Sequence, residues 1–219
     1  MLALALAAAG AAPGASAQAC LGLPAFSDAS VHLNAAAEFP DSARSYAGAL
    51  GAGRPDGLFL NLGGGVVTYQ GLDERAVLGF AELGVQRPLG PLQLCPIAGG
   101  YLAAGPDLEV AHIDVTSRGA SAGLALGVTL GLPVIDAIPN AAVKYEYLSQ
   151  KVVERDAGSI SESFHSGVVD LGLGLVYRDR FTVQPIAHLP FATGDAEVSF
   201  GLFASIILPL PVPGGLFGR

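Results

Sequence analysis

The sequence predicts an all-β fold: a closed antiparallel transmembrane β-barrel of ten strands. Three observations predict it. The chain is 51% apolar and only 14% charged, with 30 glycines and no tryptophan, and its mean hydropathy is +0.51; a water-facing domain carries more charge than that. Beyond the N-terminal leader, no segment offers the ~20 uninterrupted apolar residues that a membrane helix needs. Instead, apolar residues alternate with small or polar ones at period two in segment after segment, as in a strand with one face toward an apolar phase.

The chain opens MLALALAAAGAAPGASAQAC. An Ala/Leu run followed by Ala15-Ser16-Ala17 reads as a secretory signal peptide, residues 1–17, cleaved before Gln18. No Lys or Arg precedes the apolar run, which leaves room for a start codon further upstream. A lipoprotein signal with Cys20 acylated is the competing reading. It ranks behind, because Ala17-Gln18-Ala19 lacks the usual Leu and Gln18 fits poorly. The mature part, 18–219, has the length of one all-β domain.

In SVHLNAAAEF, Val31, Leu33, Ala35, Ala37 and Phe39 oppose His32, Asn34, Ala36 and Glu38. SYAGALGAG and GLFLNLGGGVVTYQ follow with weaker alternation. In ERAVLGFAELGVQR, Val77, Ala81, Leu83 and Val85 oppose Glu82, Gly84 and Gln86, while Leu78 and Phe80 interrupt the polar face. PLQLCPIAGGYLAAG comes next. GASAGLALGVTLGLP sets Leu124, Leu126, Val128, Leu130 and Leu132 against Gly123, Ala125, Gly127 and Gly131. NAAVKYEYLSQ sets Val143, Tyr145 and Tyr147 against Asn140, Lys144 and Glu146. FHSGVVDLGLGLVYRDR sets Leu171, Leu173, Leu175 and Tyr177 against Asp170, Gly172, Gly174 and Arg178. RFTVQPIAHLPF sets Phe181, Val183 and Leu189 against Thr182, Gln184 and His188, and AEVSFGLFASIIL completes ten. Eight strands is the alternative count, if SVHLNAAAEF and one other segment do not span.

The connections GRPDG, LGP, the LPVIDAIP region and YRDR are short and rich in turn residues. Two others, between Ala104 and Gly119 and between Ser149 and Ser163, read as long charged loops. They carry Asp107, Glu109, Asp114 and Arg118 in one, and Lys151, Glu154, Arg155, Asp156 and Glu162 in the other. Short turns on one rim and long loops on the other are the outer-membrane pattern. An even strand count brings both termini to the short-turn rim, which sets Cys20 beside the start of the strand carrying Cys95. These are the only cysteines, and in an exported chain they predict a disulfide; two buried thiols are the other possibility.

On the leader, the alternation and the loop asymmetry, the chain resembles the small bacterial outer-membrane β-barrels of the OmpA/OmpX-like class over its mature length. Barrels of this class often end on an aromatic residue read by the assembly machinery; here Phe217 stands close to the end. The class implies a bacterial outer-membrane location, lipid as the surrounding partner and a monomer. The inward polar residues are His32, Glu38, Glu82, Lys144, Glu146, Asp170 and His188, with Arg178 as a further candidate for the inward face. Inside a small barrel such charges pair and tie strands together, because an unpaired buried charge is costly. The expected role is structural or interactional, with acidic extracellular loops displayed to a ligand of unknown identity. A narrow channel for small solutes or ions is the second reading, weakened because side chains largely fill a barrel of this size. A surface hydrolase is the third, resting on His112 near Asp114 and on His165 beside Glu162, Ser163 and Ser166. Proximity in sequence does not make a catalytic grouping, and these residues are common in solvated loops. No metal-ligand spacing and no phosphate-loop lysine occurs, so neither metal nor cofactor is expected. A net charge of −8 with no basic cluster makes nucleic acid an improbable partner.

Overall fold

The computed structural model describes residues 19–24, 26, 30–54, 57–106, 113–154, 158–191 and 198–209. The leader 1–17, Phe217, Asp107, Glu109, His112, Arg155 and Asp156 lie outside the described residues.

A 3-10 turn (Ala19–Leu21) precedes β1 (Ser30–Phe39), β2 (Ala43–Gly53), β3 (Leu58–Tyr69), β4 (Arg75–Val85), the short β5 (Arg87–Leu89), β6 (Leu92–Ala104), β7 (Ile113–Val128), the short β8 (Leu130–Gly131), β9 (Ile135–Glu154), β10 (Gly158–Tyr177), β11 (Phe181–Phe191) and β12 (Ser199–Pro209). Ten long strands pair antiparallel with their chain neighbours, and β12 returns to β1 from Ser30↔Pro209 to Phe39↔Phe200. The sheet is closed. The two short strands are hairpin trim, β5 pairing β6 and β8 pairing β9.

Period two dictates the two surfaces. Leu62, Val77, Leu83, Leu124, Val143 and Leu202 are each at least half exposed or close to it on the outside, while their sequence neighbours point inward. The apolar band is bounded by rings. Phe39, Tyr46, Tyr145, Phe191 and Phe200 are exposed toward one end, Tyr177 and Phe181 at the other. Gly167 sits opposite both Tyr145 and Phe191, and the Phe191 ring lies across its bare Cα. Ten residues of β10 separate Gly167 from Tyr177. At ~3.3 Å per residue and a tilt of ~40°, that is a height of about 25 Å, the thickness of an outer-membrane apolar band.

The extent of β7, β9 and β10 differs from the sequence reading. They run to 16, 20 and 20 residues, so 113–118 of the first expected charged loop, and 150–154 and 158–162 of the second, are strand. Asp114, Arg118, Lys151, Glu154 and Glu162 ride on paired extensions above the ring of Tyr145 and Phe191. The cause is β-branched continuity: Val115, Thr116, Val152, Val153 and Ile160 keep the strands paired past the apolar band. Charge marks where the chain leaves the apolar phase, not where the strand ends. At the opposite end, Arg178, Asp179 and Arg180 make the tight turn between β10 and β11, Arg178 and Asp179 taking φ of 51° and 53°, the backbone that matches strand twist. Arg178 belongs to this exposed turn, its guanidinium 5.0 Å from the Tyr177 ring, and does not face the lumen.

The same end of the barrel is stoppered by the chain's own N-terminal segment. Cys20 is bonded to Cys95 of β6. Cys20, Phe26, Phe59, Cys95, Ile97, Ala125 and Ala142 form one buried cluster, with Ala19, Ile138 and Val176 in a second. The Cys20 amide donates to Gln93 Oε1 (3.3 Å), and Gln93 Nε2 donates to Gln86 Oε1 (3.0 Å). Two inward glycines make the fit possible: a Cβ on Gly127 would collide with the Ala19 carbonyl, and one on Gly174 with that of Gly22. A Gly127→Val variant should therefore keep the barrel but fail to seat the plug. Maleimide labelling after denaturation should then find free thiols, whereas a fully oxidised Cys20–Cys95 pair would contradict this packing.

Candidate functional site

Above the plug the interior turns polar. Lys144 on β9 forms a salt bridge with Asp170 on β10 at 2.5 Å, both side chains mostly buried. His188 on β11 meets the other Asp170 oxygen through Nδ1 at 2.7 Å, and its Nε2 lies 3.5 Å from Glu38 of β1. Register brings these residues together. Asp170 stands directly opposite His188 across β10 and β11, and inward positions of β9 and β10 alternate along the same wall. Glu82 and Glu146 lie within electrostatic reach of Lys144. Asn61 Nδ2 donates to Glu82 Oε1 at 3.2 Å, and Ser45 Oγ reaches Glu38 at 3.5 Å.

Six of the seven inward polar residues expected from the sequence thus share one layer: Glu38, Glu82, Lys144, Glu146, Asp170 and His188. His32 does not. It is fully buried one level lower, its ring 4.2 Å from that of Phe26 in the plug. Neither of its nitrogens has a hydrogen-bond partner among the described residues. The structure adds amides to the layer: Asn34, Asn140 and Gln184, placed on polar faces by the alternation but left out of the inward network, and Asn61, which was not singled out. Asn34 and Asn61 line the layer from β1 and β3, and Gln184 Nε2 donates to Asn140 Oδ1 at 3.2 Å just above the plug. Their inward position at even spacing from the charged residues was the available signal.

Two cavities adjoin in this layer. One of ≈ 250 Å³ is lined by Phe80, Glu82, Tyr101, Ser121, Glu146 and Phe164, among others. The second, ≈ 270 Å³, lies against Asn34, Glu38, Asn61, Phe80, Glu82 and His188. Phe80 and Glu82 belong to both. Phe80, which interrupts the polar face in sequence, is a lumen partition.

The hydrolase grouping does not assemble around His165. Ser163 and His165 face outward on β10, where the hydroxyl of Tyr145 meets His165 Nδ1 at 2.6 Å and that of Tyr147 meets Ser163 Oγ at 3.2 Å. Glu162 and Ser166 alternate with them onto the opposite face. What results is an aromatic–histidine cluster at the outer edge of the apolar band. Among the described residues no group of three His, Cys, Asp or Glu side chains could hold a metal ion.

Removing one member of the central pair strands the other. Asp170→Asn or Lys144→Met alone should each lower the unfolding free energy by about 3–5 kcal/mol. The double variant Lys144→Met/Asp170→Asn should lose clearly less than the sum of the two single losses. Urea titration of the folded fraction in detergent micelles would measure this, and additive single and double losses would show that the pair is not coupled.

No protein-family model matches the chain, and no curated protein matches it. Among solved structures it is similar to the N-terminal β-barrel domain of Pseudomonas aeruginosa OprF, at 14% identity and TM-score 0.37, covering 82% of this chain and 97% of that one. It is similar to the translocator domain of the autotransporter NalP from Neisseria meningitidis, at 15% identity and TM-score 0.44, covering 83% and 87%. The β domain of the Bordetella autotransporter BrkA aligns at 15% identity and TM-score 0.33, covering 80% and 96%. The geometry stands without them: ten antiparallel strands closed on themselves, an apolar band between aromatic rings outside and a polar lumen inside make this an outer-membrane β-barrel fold.

Proposed function

We propose that the chain is a bacterial outer-membrane barrel whose role is structural and interactional: a rigid, monomeric anchor that carries a charged β-extension beyond the lipid. The single observation that carries this reading is the disulfide-tethered plug. It fills the end of the barrel where β1 begins and β12 ends with fully buried Cys20, Phe26 and Cys95, against a lumen already narrowed by Phe80 and the Lys144–Asp170–His188 network. A conducting path would have to displace covalently held, close-packed side chains.

The outward end supports the interactional half. The β9–β10 hairpin pairs continuously to Glu154↔Gly158. Twenty residues at ~3.3 Å and ~40° tilt rise roughly 50 Å, about twice the apolar band. The projecting half carries Asp114, Glu154 and Glu162 with Arg118 and Lys151, a mixed-charge sheet suited to protein or glycan surfaces. Paired backbone holds it rigid, so its charges are presented in fixed geometry rather than on a flexible loop.

The test joins location and conductance. Recovered from an outer-membrane fraction, the oxidised protein should shift on a gel when boiled and stay electrically silent in planar bilayers. A soluble periplasmic location would overturn the barrel anchor, and stepwise currents would replace it with the channel.

A further inference from the structure

We infer that the outward face of β7, β9 and β10, just above the ring of Tyr145, binds the phosphorylated headgroup of a lipid in the surrounding leaflet. The inference rests on the outer-membrane barrel reading and gives that barrel a lipid site.

Register builds the patch. On the face shared with Leu124, Val143 and Leu171, His165 lies opposite Tyr147. One step outward, Ser163 lies opposite Ser149, and Ser149 opposite Arg118. A further step brings Ser161 opposite Lys151. Arg118 and Lys151 are both exposed. They are diagonal neighbours on paired strands, which sets their backbones about 7–8 Å apart. One phosphate fits between the two side chains, with Arg118 supplying a planar fork of donors and Lys151 a point charge.

Charge on these extensions is sorted by face. Glu146, Glu154 and Glu162 take the opposite parity on the same strands. The exception is Asp114, one row beyond Lys151 and opposite Val153. The ion pairs among the described residues are those of Lys144 and His188 inside the barrel, and neither Arg118 nor Lys151 enters one. Elsewhere on this rim the bases have acidic company: Arg44 and Arg75 are exposed on β2 and β4, beside turns that carry Asp41, Asp73 and Glu74.

The groups around the two bases supply donors. The Tyr147 hydroxyl meets Ser163 Oγ at 3.2 Å and bonds Ser149 as well, with Arg118 within electrostatic reach. The Tyr145 hydroxyl lies 2.6 Å from His165 Nδ1. By donating there it leaves the ring proton on Nε2, a further donor. Both tyrosine rings lie against the imidazole, their centroids 5.7 and 5.2 Å from it, and hold it in place.

Height decides what covers the patch. Tyr147 stands two residues above Tyr145 and the Arg118 row four, about 5 and 10 Å at ~3.3 Å per residue and ~40° tilt. The headgroup layer is about 5–8 Å deep on each side of a bilayer, and long basic side chains bend toward it. A face turned sideways at that height meets headgroups, so the anion it selects is a lipid phosphate.

Native mass spectrometry tests this on the folded, oxidised protein. It is released from dodecyl maltoside micelles doped equally with dioleoyl phosphatidic acid and dioleoyl phosphatidylcholine. The parent should retain phosphatidic acid about tenfold over phosphatidylcholine, the worth of one charge-assisted hydrogen bond. Arg118→Gln/Lys151→Gln should bring the two lipids close to parity, and Glu154→Gln/Glu162→Gln, on the opposite face, should leave the preference unchanged. Should the Arg118/Lys151 pair variant fail to fold, Lys151→Gln alone should give a smaller loss in the same direction. Excess inorganic phosphate should not displace the lipid, and displacement would make this a site for a soluble anion instead. The boiling-dependent gel shift reports the barrel separately. A parent without the shift removes the barrel reading, whereas a parent that shifts yet retains both lipids equally removes only the site. Folded Arg118→Gln/Lys151→Gln binding like the parent would also overturn it. So would a gain in Glu154→Gln/Glu162→Gln as large as the loss in the basic pair, because net charge would then be the cause.

Discussion

Everything in this molecule depends on one requirement: in hydrocarbon, each backbone N–H and C=O must find a protein partner. A sheet meets it only by closing. The β1–β12 ladder supplies the closure without a gap from Ser30↔Pro209 to Phe39↔Phe200, and ten strands follow from how the chain is divided. Once the sheet closes, period two is no longer a local preference. It assigns every side chain to lipid or lumen, and so places Leu124 and Leu126 outside while Gly123, Ala125 and Gly127 go inside.

The lumen then has to be filled, and the chain fills it in layers of different chemistry. At the base, small inward residues admit the N-terminal segment, which adds Phe26 and the disulfide to an apolar core like that of a soluble protein. Above it, charges that could not stay unpaired in a narrow interior are brought within bonding distance across β1, β9, β10 and β11. Asn140 and Gln184, bonded to each other, pack against Gly22 of the plug. A barrel built this way is close-packed at its base and cross-linked by paired charges above.

The barrel was legible in the sequence because its dominant constraint repeats every second residue. The strands of Val31 to Phe39 and Phe181 to Phe191 declare both faces by themselves, and the six members of the ion network could be picked out as polar residues on the inward parity. The disulfide was legible from topology, since an even strand count brings Cys20 and Cys95 to one rim. The plug was not. Ala19 to Phe26 has no periodicity, and its binding site is written as absent side chains at Gly127 and Gly174. His32 was misplaced for the same reason: its parity is inward, but only the plug's Phe26 decides that it packs against a ring instead of an ion. The extensions of β7, β9 and β10 were hidden because charge is the usual mark of a loop, whereas Asp114, Lys151 and Glu154 are spaced on strands that continue into water.

The account stands or falls on closure, and closure can be trapped chemically. Ala35 and Ala204 face outward and lie directly opposite each other across the β1–β12 seam, a spacing that a disulfide can bridge. In an Ala35→Cys/Ala204→Cys protein oxidised in the membrane, the account predicts an intramolecular link that raises the oxidised mass by no second chain and keeps the barrel compact on an unreduced, boiled gel. Free thiols at both positions, or links only between different chains, would mean that the sheet has open edges and that the barrel does not exist in the membrane.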